Sequence, residues 1–62
     1  MAQRARIEYQ NQFGAWRYFT TVTASWPNIR NALQRALAFQ SCVGKARALD
    51  EEDGSVLDIQ TD

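Results

Sequence analysis

The sequence predicts an α+β fold: a compact ββαββ chain, with one amphipathic helix packed on one face of a four-stranded, mainly antiparallel sheet. Three observations predict it. Residues 4–10 alternate apolar and polar with a period of two. Residues 26–42 carry apolar side chains at helical spacing. Turn signals, Asn11-Gln12-Phe13-Gly14 and Asp53-Gly54, fall where each half of the chain would reverse. The elements read as hairpin 4–22, helix 26–42 and hairpin 45–60, in a single small domain spanning 1–62.

In the first strand Ala5, Ile7 and Tyr9 point one way, and Arg4, Arg6, Glu8 and Gln10 the other. Gly14 supplies the positive φ that a tight turn needs. Residues 15–22, Ala-Trp-Arg-Tyr-Phe-Thr-Thr-Val, are aromatic and β-branched and form the second strand. Two parities are open there. Trp16, Tyr18, Thr20 and Val22 make one set; Ala15, Arg17, Phe19 and Thr21 make the other. Burial tendency selects the first set as inward, because Trp16 and Val22 bury readily and Arg17 belongs in water.

Ser25 is placed to cap the helix, and Pro27 sits in the first turn, where its missing N–H costs little. Ile29, Leu33, Ala36 and Leu37 make the inward stripe, widened by Ala32, Phe39, Gln40 and Val43. Gly44 is the stop signal. Residues 45–50 have helix-forming composition, but Gly44 argues for a break before them. Residues 50–54 read as an acidic turn, and 55–60 as a last strand with Leu57 and Ile59 on one face. The expected core joins the helix stripe to Ile7, Tyr9, Leu57 and Ile59.

Charge is polarised along the chain. All seven basic residues lie at or before position 47, and six of the seven acids at or after position 50. Seven positive charges less Glu8 leave +6 on residues 1–49, and the six acids put −6 on residues 50–62. The acidic tail is therefore a candidate shield for a basic body. Sixty-two residues bury only ~60% of the unfolded surface, so an oligomer would help stabilise the chain.

The chain has no histidine, which removes Ser-His-Asp and Cys-His catalysis, and no glycine-rich phosphate loop. Cys42 is the lone cysteine, so zinc and internal disulfides have no ligand set, and a reducing compartment suits it. Counting back from Gly54 puts Leu49 where a calcium loop needs aspartate. The expectation is a non-enzymatic chain with no cofactor and no metal. The N-terminus lacks the apolar core of a secretory signal, and no apolar run reaches the ~20 residues of a membrane span. The expected location is cytoplasmic.

Candidate binding residues follow from the face left open by the helix. Arg4, Arg6, Arg17 and Phe19 make it basic with an aromatic in it. Trp26, beside Pro27, serves either as a staple of the helix to the sheet, the favoured role, or as an exposed anchor. Residues 45–49 or 55–60 are candidate edges for pairing with a second copy. The leading functional expectation is a protein-interaction module whose partner is another protein or a second copy of itself. The alternative is nucleic-acid binding through the same basic, aromatic-containing face, against which the pI of about 6.1 weighs. Compact ββαββ chains without catalytic equipment look like the small accessory or inhibitor proteins of bacterial and phage genomes; no site is carried over from that likeness.

Overall fold

A computed structural model describes residues 3–61; residues 1 and 2, and the tail acid Asp62, lie outside the described residues. The elements are β1 (Arg4–Gln10), β2 (Trp16–Thr23), α1 (Trp26–Leu37), β3 (Lys45–Asp50) and β4 (Val56–Thr61). The strands form one antiparallel sheet in the order β2-β1-β3-β4, with α1 against one face. This is the ββαββ architecture the patterning predicts. β1 and β3 are central, so residues 46–49 have a partner on each side and the 45–49 segment is not a free edge. The edges are β2 and β4.

The first turn is built by Asn11. Its side-chain oxygen accepts from the N–H groups of Phe13 and Ala15, both at 3.0 Å, and Gly14 takes φ 80°. The β3–β4 turn works the same way. The Asp50 carboxylate accepts from the Glu52 N–H, and Asp53 from the Ser55 N–H, both at 2.8 Å. Hydrogen bonds from the Ser55 hydroxyl and N–H hold the Asp53 carboxyl below its ordinary 3.8. A depressed folded-state pKa contributes stability above pH 3.8, lost as pH falls through the lowered value. In an NMR titration the Asp53 midpoint is expected below 3.8, and closer to it in Ser55→Ala.

The helix starts where the sequence places it, with Ser25 in extended backbone at the cap and Pro27 in the first turn. The Ser25 hydroxyl makes no capping bond. The expected end at residue 42 is corrected to Leu37. Beyond it Phe39, still 42% exposed, lies against Tyr9 and Phe19, with ring centroids 5.1 and 5.5 Å away. The Val43 N–H then bonds the Gln10 carbonyl at 3.0 Å, tying the segment to β1. Packing three rings together outweighs another helical turn on a chain already committed to return to the sheet. Gly44, at φ 89°, turns the backbone into β3.

The core is thin. Ala5, Ile7, Ala46 and Ala48 from the central strands meet Ile29, Ala32, Leu33 and Ala36 from α1. Among these, Ile7 and Leu33 are the largest fully buried side chains. The five alanines leave little side-chain volume between helix and sheet. Each also buries less apolar surface than a leucine, so the stabilisation from this layer is modest. No helix among the described residues is long and apolar enough to cross a membrane.

Candidate functional site on the open sheet face

Two bulges decide what the open face carries. Opposed residues of an antiparallel pair share a face. In β1–β2, Ile7 opposes Thr20 and Glu8 opposes Tyr18, so Phe19 is the extra residue. In β3–β4, Ala48 opposes Asp58 and Leu49 opposes Val56, so Leu57 is the extra residue. Each bulge lets a strand change parity midway. Phe19 and Leu57 turn toward the helix and pack on the core. Trp16, Tyr18, Val56 and Ile59 turn the other way.

The inward set expected for β2 is therefore corrected. Val22 packs inward, but Tyr18 lies on the open face, 53% exposed, and Trp16 shares that face. Phe19 belongs to the helix side. Arg17, opposite Tyr9, lies there too, beside Gln40 and Val43. Ile59 is corrected in the same way: it is 54% exposed and opposes Arg47 on the open face.

Of the five candidate residues, Arg4 and Arg6 share the open face, through their pairing with Thr23 and Thr21. Arg17 and Phe19 do not. Trp26 lies at the start of α1 on the other side and is 63% exposed, which removes the staple role. It rims a shallow hollow with Ala24, Ile29 and Leu57. The five residues do not form one site.

A different set does. Glu8 sits at the centre of the open face, only 8% exposed. Its Oε1 accepts from Arg47 Nε at 2.9 Å and lies 2.8 Å from a terminal nitrogen of the same guanidinium. Its Oε2 lies 3.2 Å from Arg6 Nε. Each arginine then covers an aromatic ring of the edge strand. Arg47 stands 4.2 Å from the Trp16 ring centre, and Arg6 stands 4.9 Å from that of Tyr18. The result is a connected row, Trp16–Arg47–Glu8–Arg6–Tyr18, reaching from β2 across β1 to β3. On its other flank Leu49, Val56 and Ile59 make an aliphatic half.

The row holds long side chains still. A guanidinium held between a carboxylate and a ring has little rotamer freedom left to lose on binding. It also offsets charge: one carboxylate is shared by two arginines, which leaves +1 on the group. Among the described residues the ion pairs are those of Glu8, not of the acidic tail. The Asp50 and Asp53 carboxylates are instead engaged with N–H groups of their own turn.

Sequence reasoning missed Trp16, Tyr18, Glu8 and Arg47 as site residues. The available signal was Tyr18-Phe19, two adjacent large aromatics inside a strand, which without a bulge must face opposite ways. No protein family model, no curated protein and no solved structure matches the chain.

Proposed function

We propose that this chain is a small non-enzymatic protein-interaction module that docks through the open face of its sheet, with a second copy of itself as the first partner to test. One observation carries the reading: aromatic and aliphatic side chains lie exposed on one face, around arginines already held in place. Tryptophan, tyrosine and arginine are the residue types that dominate binding hot spots. The molecule measures 35 × 21 × 15 Å. Its broad side is comparable with the ~800 Å² that a standard interface takes from each partner.

A second copy suits this face. A two-fold axis along the strands lays the aromatic half, Trp16 and Tyr18, over the partner's aliphatic half of Leu49, Val56 and Ile59. Stacking the sheets ~10 Å apart would add the apolar burial that the alanine-rich core lacks. An accessory or inhibitor role on a larger protein of bacterial or phage type would use the same face. The reading places the chain in the cytoplasm, where Cys42 stays a thiol. Nucleic-acid binding is the weaker alternative, because Glu8 offsets one of the two charges of Arg6 and Arg47 and ties both guanidinium groups to itself, which leaves phosphate a smaller basic patch than the arginine count suggests.

Solution mass by light scattering, in reductant and across a salt series, tests this. The expected result is a dimer that resists salt, and that Ile59→Asp converts to monomer by weakening association at least ~100-fold, about 2.7 kcal/mol. If the wild type is monomeric, the prediction passes to lysate capture with and without nuclease. Captured protein must be nuclease-resistant and lost in Ile59→Asp and Tyr18→Ala. A monomer that captures nothing by this face, or a complex that vanishes with nuclease and with salt, overturns the reading.

A further inference from the structure

We infer that the groove between the free edge of β2 and helix α1 takes an extended peptide, added as a fifth strand, that sets a carboxylate beside Arg35. This surface borders the open face at Thr21, whose hydroxyl lies 3.0 Å from that of Tyr18, but it does not use the row of rings and arginines. β2 has β1 as its sole neighbour among the described strands, so alternate residues direct unpaired N–H and C=O groups outward. Beside that edge runs a groove of about 710 Å³. Phe19, Val22 and Ala32 supply its apolar surface; Asn28, Asn31 and Arg35, along one side of α1, supply its polar wall.

The two sheet edges are not equally receptive. β4 carries a bulge at Leu57 and a charge at Asp58, both devices that blunt an edge. β2 has its bulge at Phe19, and past it Thr20-Thr21-Val22-Thr23 is regular, neutral and wholly β-branched. Those four residues offer roughly 13 Å of strand.

Direction and charge follow. The Phe19 end of β2 lies near the end of α1, as the 5.5 Å Phe19–Phe39 contact shows, so Arg35 stands at that end and Asn28 at the other. A strand antiparallel to β2, the more stable pairing, runs from Asn28 toward Arg35. Its acidic side chain therefore belongs late in the segment. Arg35 is exposed and, among the described residues, makes no ion pair, so its charge is available to that carboxylate. Small or β-branched side chains at alternate positions fit the shallow floor at Ala32 and Val22. The asparagines can bond either polar side chains or the added backbone.

The probe is a phage-displayed random heptapeptide library, panned against the immobilised full chain and against Arg35→Glu. The wild type is expected to enrich β-branched sequences with Asp or Glu in the C-terminal half. Arg35→Glu should bind the selected acidic peptides at least ~10-fold more weakly and enrich basic ones instead. The best peptide, titrated into labelled protein, should shift amides in 19–23 and 28–35 and slow hydrogen exchange along Thr20–Thr23. Arg35 is solvent-exposed, and Arg35→Gln serves should the reversal disturb folding. No enrichment above blank support, binding indifferent to both substitutions, or shifts confined to Trp16, Tyr18 and Ile59 with 20–23 and 28–35 unmoved would each overturn the proposal. The last of these would leave the open-face reading standing, and the two are thereby told apart.

Discussion

Replacing Leu33 with alanine is expected to cost ~2–5 kcal/mol, the largest loss from any single truncation in this chain. Leu33 is fully buried, and with Ile7 it makes up the large, fully buried side chains of the core. Its neighbours across the layer include Ala5, Ala46 and Ala48, which cannot grow to fill the space. Domains are stable by only ~5–15 kcal/mol, and a chain this small sits at the low end of that range. The midpoint of a thermal melt should fall by ~4–8 °C for each kcal/mol lost, so Leu33→Ala should be partly unfolded at room temperature. Leu37→Ala, on a half-buried side chain one turn on, should cost distinctly less. Circular dichroism melts of the two variants and the wild type check this. A Leu33→Ala loss under ~1 kcal/mol would mean that stability resides elsewhere, for example in the Tyr9–Phe19–Phe39 cluster.

The element order was legible because each element carries its own local signal. Ala5, Ile7 and Tyr9 keep one parity through β1. Ile29, Ala32, Leu33 and Ala36 keep one helical stripe, and Gly14 and Gly54 mark reversals with φ of 80° and 76°. The open face was not legible, because a bulge inserts one residue without any composition of its own. In β2 the string Trp16-Arg17-Tyr18-Phe19 satisfies either parity over most of its length. Only the pairing of Glu8 with Tyr18, not Phe19, settles it. β4 repeats the lesson. Val56, Leu57 and Ile59 cannot share a face in a regular strand, yet the sequence does not say which of them leaves it. The helix end escaped for another reason. Phe39 and Val43 extend the helical stripe in register, and only the presence of Tyr9 and Phe19 in space diverts Phe39. Apart from Trp26, what was misread lies where a residue's face depends on a partner far along the chain, and those places include the edge strand of the candidate interface.

Substituting Glu8 by glutamine should separate the two roles of that residue. The change keeps the shape and one acceptor oxygen but removes the charge that both Arg6 and Arg47 share. Charged hydrogen bonds contribute ~1.5–3 kcal/mol, and the partial exposure of both arginines reduces that, so a loss of ~1–2 kcal/mol is expected in a denaturant titration. The larger effect is predicted on the face itself. Without the carboxylate two guanidinium groups stand side by side with their charges uncompensated, and they should swing away from Trp16 and Tyr18. In a Trp26→Phe background, which leaves Trp16 as the emitting tryptophan, Glu8→Gln should shift the fluorescence as Arg47 leaves its ring. Arg47→Met should give the same change, and the two substitutions together should cost less than their sum, with a coupling of ~0.5–3 kcal/mol. Association should weaken at least ~10-fold, since the arginines then lose freedom on binding that they had already lost in the wild type. If Glu8→Gln lowers stability but leaves both Trp16 emission and association unchanged, Glu8 is a buried strut of the sheet and the row of rings and arginines is not a preorganised binding surface. If emission and association move together while the fold survives, the carboxylate at the centre of the sheet is what prepares this face for a partner.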